Sequence, residues 1–198
     1  MKKLIPLLIL VGGAASGFAQ GTISFRNFDA PYATVDPTGG NRNVYDVGSP
    51  LNPATGVGLT GTQYVAELYA GTDASSLQPL SLSISRFRST TTSNKGKWGT
   101  STLLGVGNDR VLLPVDFGGT AFLQVKVWDY STSQTFAGAS GKTGVSMVFT
   151  YKVPPAGDLT ASDFFMENFQ AFALVPEPSA IALGVIGVAG LLLLRRRK

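Results

Sequence analysis

Side chains that alternate between apolar and polar along short stretches do most to narrow what this chain can fold into. Between Phe122 and Trp128, the residues Leu123, Val125 and Val127 fall on one side and Gln124 and Lys126 on the other. Successive side chains reach opposite faces only when the backbone is extended, so this pattern specifies a strand with a buried face. Thr22 to Arg26 alternates in the same way, and so does Val145 to Val153, whose odd-numbered residues would make one apolar face. Residues 63–70, 80–87, 111–115 and 169–174 are further strand candidates, separated by turn-forming clusters at Gly39-Gly40-Asn41, 105–109 and Gly118-Gly119. No long segment prefers the helical period. The expectation is an all-β body over 20–174, an antiparallel β-sandwich of jelly-roll or immunoglobulin-like type. The stretch 29–61, rich in Pro, Gly and Asn, reads as a long irregular loop, and 159–168 has room for a helical turn before the last strand. No internal repeat is visible.

The chain has no cysteine and no histidine. That removes disulfides, thiolate nucleophiles, Ser-His-Asp and Cys-His catalysis, and zinc or copper sites of the usual ligand type. A body of this size can hold together by burial alone. Its charge is also informative. The formal net charge is +4, but six of the 16 Lys and Arg residues sit at the two ends. Between the ends, ten basic residues meet 12 acidic ones, so the middle of the chain is slightly acidic. Basic patches bind nucleic acid by releasing counterions from phosphates. Here the basicity belongs to the ends, and nucleic acid is not an expected partner.

Residues 1–19 have the three parts of a secretory signal. Lys2 and Lys3 precede the apolar stretch Leu4–Val11, and a run of small residues leads to Gly17-Phe18-Ala19. Small side chains at Gly17 and Ala19 suit signal peptidase, placing the cut between Ala19 and Gln20. The apolar stretch is far shorter than the ~20 residues needed to span a bilayer, which argues against an uncleaved anchor.

The other end carries the most specific pattern. Pro176-Glu177-Pro178 cannot continue a strand or helix and leaves the chain extended and accessible. Ala180–Leu194 is then an unbroken apolar run, closed by Arg195-Arg196-Arg197-Lys198. As a helix the run would be ~22 Å long, short of the ~30 Å hydrocarbon core, with snorkelling arginines covering part of the gap. The terminal basic cluster orients the tail toward the cytoplasm and the body outside. These three elements in this order over 175–198 resemble the PEP-CTERM sorting domain of Gram-negative-type bacteria. The same short region is sometimes named after the C-terminus of an ice-binding protein, a label for the tail and not for the body. The resemblance implies an exosortase, a membrane-embedded cysteine peptidase, that recognises Pro176, Glu177 and Pro178 and removes the helix. The protein would then be an inner-membrane-anchored intermediate, delivered to the cell surface or matrix in contact with exopolysaccharide. It would not be an enzyme. Gly21–Phe28, Ala66–Gly71 and Val125–Asp129 also look like recurrent segments of PEP-CTERM proteins, which implies a shared β-sandwich and no particular activity.

Several residues of the body deserve weighing for chemistry. A surface glycan hydrolase, the alternative function, needs only two carboxylates, and Glu67, Asp116, Asp129 and Glu167 are the candidates. An exposed strand-face carboxylate or a turn residue explains each as well. Calcium takes oxygen ligands, but Asp29, Asp36 and Asp46 lack the dense spacing of a calcium loop, and loop capping is the plainer reading. No cofactor or metal is expected. Trp98, in the turn-like Lys95-Gly96-Lys97-Trp98-Gly99, would join an aromatic face to the charges of Lys95 and Lys97 and is the first choice of glycan contact. Trp128 falls on the strand face opposite Leu123, Val125 and Val127, and core or edge packing is the plainer reading of both tryptophans. Arg86, Arg88, Lys95 and Lys97 form the one local basic concentration, read as a solvated hairpin and not as a polyanion site.

Overall fold

A computed structural model describes residues 20–27, 41–52, 54–88, 94–102, 110–157 and 166–176. It is all-β, as expected, and its sheets are almost entirely antiparallel. The twelve strands in chain order are β1 (Gln20–Ser24), β2 (Val44–Tyr45), β3 (Tyr64–Gly71), β4 (Gln78–Pro79), β5 (Ser85–Phe87), β6 (Trp98–Thr102), β7 (Arg110–Asp116), β8 (Thr120–Asp129), β9 (Lys142–Val145), β10 (Phe149–Lys152), β11 (Phe172–Ala173) and β12 (Val175–Pro176).

The long strands β3 and β8 form the spine, paired from Tyr64 with Asp129 to Gly71 with Phe122. Around them the main sheet runs β12-β9-β8-β3-β5-β6, with β10 beside β9 on β8 and β4 beside β5 on β3. The alternating residues do what the sequence pattern requires. Leu123, Val125 and Val127 lie in register with Ala70, Leu68 and Ala66, and all six are buried on one face. The separate β1–β7 pair adds Ile23, Val111 and Leu113 to the same core. Between β7 and β8 the chain turns through Gly118 at φ +76°, a conformation open to glycine, while the Gly119 N–H donates to the Asp116 carbonyl at 3.0 Å.

Two predicted strands are interrupted. In 145–153, Phe149 faces Leu123 but Val145 faces Lys126, so the outer chain advances four residues while β8 advances three. This is a β-bulge, and it reverses the inside–outside parity. Phe149, Tyr151 and Val153 are buried as expected, whereas Val145 and Met147 are exposed. The break is sealed by Ser146. Its N–H donates to the Val125 carbonyl at 2.9 Å, and its Oγ accepts the Val125 N–H at 2.9 Å. In 80–87 only β5 is strand, because Ser81–Ser83 forms a 3-10 turn. There Ser83 Oγ accepts the Leu68 N–H at 2.8 Å and the Leu80 N–H donates to the Leu68 carbonyl at 2.8 Å.

The presumed loop 29–61 is partly ordered into the core. Residues 28–40 and 53 lie outside the described residues, but Val44 and Tyr45 are buried in β2, which pairs in parallel with β11. Asn27 fixes this region to the rest. Its buried amide donates to the carbonyls of Arg42 at 2.9 Å and Gly96 at 2.8 Å and accepts the Trp98 N–H at 2.8 Å. The predicted strand 169–174 is reduced to the two residues of β11. The helical turn expected over 159–168 lies largely outside the described residues.

Candidate functional site

The described chain ends inside the predicted sorting motif. Phe172 and Leu174 are buried, and the Leu174 N–H donates to the Tyr45 carbonyl at 2.9 Å. One residue later the chain is at the surface. Val175 and Pro176 form β12 against Thr143 and Lys142 of β9, with Val175 61% exposed. The expectation that Pro176 cannot continue a strand is thereby corrected: proline lacks an N–H, so a place at a sheet edge is one it tolerates. β9 lies so close to the anchor that a Cβ on Gly144 would come within 2.9 Å of the Phe172 ring. Lys142 closes the corner through a 2.8 Å ion pair with Asp46. Burial pushes the Asp46 carboxyl up, but Lys142 and the Val47 N–H outweigh it and hold the group below the usual carboxylate range. Asp46 thus has a cation and a backbone donor as partners, in keeping with loop capping. Asp29 and Asp36 lie outside the described residues. So do residues 1–19, Glu177, Pro178, the apolar run and Arg195 to Lys198, while Gln20 opens β1 at the surface. Among the described residues no helix is long and apolar enough to cross a membrane.

The carboxylates proposed for hydrolysis do not come together. Glu67 is buried on the outer face of the spine, where Lys126 sits opposite it in register. Asp129 pairs with Tyr64 on the inner-face parity and caps its own turn, accepting the Ser131 N–H at 2.9 Å. Asp116 ends β7 opposite Gln20. Glu167 is exposed, and its backbone carbonyl, not its carboxylate, accepts from the Arg42 guanidinium at 2.9 Å. Among the described residues no group of three carboxylates gathers to hold a metal ion.

Glu67 belongs to a cluster that strand alternation alone does not reveal. Burial pushes its carboxyl up, against the lowering effects of the Tyr69 hydroxyl and the Lys126 ammonium. Burial and the neighbouring Glu67 carry the Tyr69 phenol to about 12. The Lys126 ammonium lies 4.0 Å from the Tyr69 ring centroid and 5.1 Å from that of Phe136. The missed signal was Phe136, which the short turn after β8 folds back over this face. Trp128 packs there with Val65 and Ile84, edge-on to Phe136, and its Nε1 donates to the Ser133 carbonyl at 2.9 Å.

The glycan contact predicted at Trp98 is corrected by its burial. Trp98 is 0% exposed and opens β6, packed against Phe25, Phe87 and Phe169 with centroids 5.3, 5.8 and 5.6 Å away. A sugar cannot stack on a ring already enclosed by three others. Lys95 and Lys97 are half-buried in the connection before it, so the two charges and the aromatic face do not form one surface. The Trp98 signal was ambiguous because two of its three aromatic partners, Phe25 and Phe169, lie far away in sequence. Arg86 is already engaged, donating to the Thr62 carbonyl at 2.7 Å and lying over the Tyr130 ring at 5.7 Å.

A groove of about 600 Å³ lies between the β1–β7 pair and the 3-10 turn, lined by Pro79, Leu80, Leu82, Arg110 and Leu112 among others. Among the described residues its lining contains no carboxylate. Comparison with known proteins returns no match, whether to a family model, a curated protein or a solved structure.

Proposed function

We propose that this protein is an exported sorting substrate, a two-layer β-sandwich body carried to the surface by a removable C-terminal tail of the PEP-CTERM kind. The observation that carries this reading is the order Pro176-Glu177-Pro178, apolar run, basic terminus, on a chain that opens with a secretory-type leader. The position of β12 supports it: Leu174 anchors the body, and Pro176 already lies exposed at the sheet edge. A peptide that must enter a membrane peptidase needs to leave its domain at such a place. The partners are signal peptidase, an exosortase and the membrane, and the mature body resides at the surface or in an exopolysaccharide matrix. The carbohydrate-active hydrolase gains no support from Glu67 and Asp129, which sit on opposite faces of the spine.

The test is Glu177→Ala in a bacterial host that encodes an exosortase. The variant is expected to keep its C-terminal helix and stay with the membrane fraction, while the wild type is released from it. Equal loss of the helix from both would show that Pro176-Glu177-Pro178 is not the recognised signal.

A further inference from the structure

Eight large hydrophobic residues are markedly exposed among the described residues, and four of them crowd one edge of the sheet: Val145 at 45%, Met147 at 78%, Val148 at 39% and Val175 at 61%. The bulge explains how they come together. In an unbroken strand, Val145 and Val148 would face opposite ways. With the bulge between them, Val145 lies beside Lys126 on the outer face, and Val148 falls on that face by alternation from the core-facing Phe149. Val175, aligned with Thr143, continues the stripe onto β12.

The geometry points to this β9–β12 edge as the surface that rests on the lipid bilayer while the tail is still attached. The inference depends on the sorting-tail reading, which puts Ala180 at the start of the membrane helix. Only Glu177, Pro178 and Ser179 separate Pro176 from Ala180. Four extended steps span at most ~14 Å. The interfacial layer takes up roughly 5–8 Å of that distance on each side of the hydrocarbon. The body is therefore tethered by its β12 edge within a few ångströms of the headgroups, and the apolar stripe lies on that tether. Charge agrees. Exposed Lys152 lies at one end of the stripe, while Lys142 at the other is shared with Asp46 through their ion pair, and the segment from Lys142 through Lys152 carries no carboxylate of its own. Lys152 at this level reaches lipid phosphates while the valines and Met147 enter the interface.

The absence of native cysteine makes the test direct. Full-length protein is placed in phosphatidylethanolamine–phosphatidylglycerol vesicles, with one fluorophore attached through Met147→Cys, Val148→Cys, Leu82→Cys or Val188→Cys. Leu82 is the control, being 64% exposed next to the opposite edge of the spine. Val188 reports tail insertion. Nitroxide-labelled lipids are expected to quench the Met147 and Val148 probes several-fold more than the Leu82 probe, and to quench Val188. Quenching at Val188 with Met147 and Val148 no different from Leu82 overturns the edge contact and leaves the tail reading standing. An unquenched Val188 overturns both. Protection of Met147 from aqueous iodide without quenching by lipid nitroxide means that a second protein chain covers the edge, and also overturns the proposal.

Discussion

The two sides of the β3–β8 spine are broken in the same way and finished differently. Leu68 and Val125 are directly opposite each other, and each turns its outward N–H toward a serine hydroxyl, Ser83 on one side and Ser146 on the other. Both serines are buried, and each has an exposed apolar neighbour, Leu82 beside Ser83 and Met147 beside Ser146. On the β3 side the interruption is a 3-10 turn bordering an apolar groove. On the β8 side it is a bulge that aligns an apolar stripe with β12, where the described chain ends. One hydrogen-bonding solution thus serves two ends: it closes the ladder in both places, and what it exposes depends on which way the following chain leaves.

The largest expected effect comes from removing the shared centre. Leu68→Ala, at a fully buried position, should cost about 2–5 kcal/mol in chemical denaturation, and Val125→Ala somewhat less because fewer atoms are removed, since a cavity opens beneath both edges. A loss well under 1 kcal/mol would mean the spine does not support the two edges jointly. The serines come next. Ser83→Ala and Ser146→Ala each leave a buried strand N–H without its acceptor, at about 1–3 kcal/mol. Ser146→Ala should be the larger, since its hydroxyl also donates to the Met147 carbonyl at 2.8 Å. A neutral Ser146→Ala, with Ser83→Ala costly, would show the two breaks are not equivalent.

How much of this was legible in the sequence depends on distance along the chain. The inner faces of β3 and β8 follow from alternation, because Leu123, Val125 and Val127 announce their side locally. The bulge does not, since Val145 to Val153 keeps apolar residues at odd positions while the ladder gains a residue at Ser146. Serine is weak evidence in a pattern of apolar and polar residues, yet at Ser83 and Ser146 it replaces a strand. The site was legible in part for the same reason. Pro176 at a surface edge agrees with the accessibility its sequence implies, whereas at Trp98 burial bears out core packing over glycan contact, a choice no local pattern decides because Phe25 and Phe169, which enclose it, stand 73 and 71 residues away.

Two smaller effects sharpen the contrast between the faces of the spine. Burial raises the folded-state carboxyl of Glu67, so the unfolded chain releases this proton at lower pH than the folded one. Stability should therefore fall as pH rises from the ordinary glutamate range to the raised folded value, then level off. Glu67→Gln should flatten that part of the pH–stability curve, and an unchanged slope would assign it to other groups. The smallest effect is at the β9 corner. Lys142→Ala removes an ion pair with both partners substantially exposed, and should cost about 0–1 kcal/mol, less at high salt. A larger loss would mean that the pair, and not the Phe172–Leu174 anchor, holds the β12 edge in place.

The most direct test of the sorting reading is the intact mass of the mature protein recovered from an exosortase-containing host. The expected species begins at Gln20 and lacks the apolar run from Ala180 to Leu194 together with the basic end. A surface-located protein that still carries residues 1–19, or that retains Ala180 through Lys198, would contradict it.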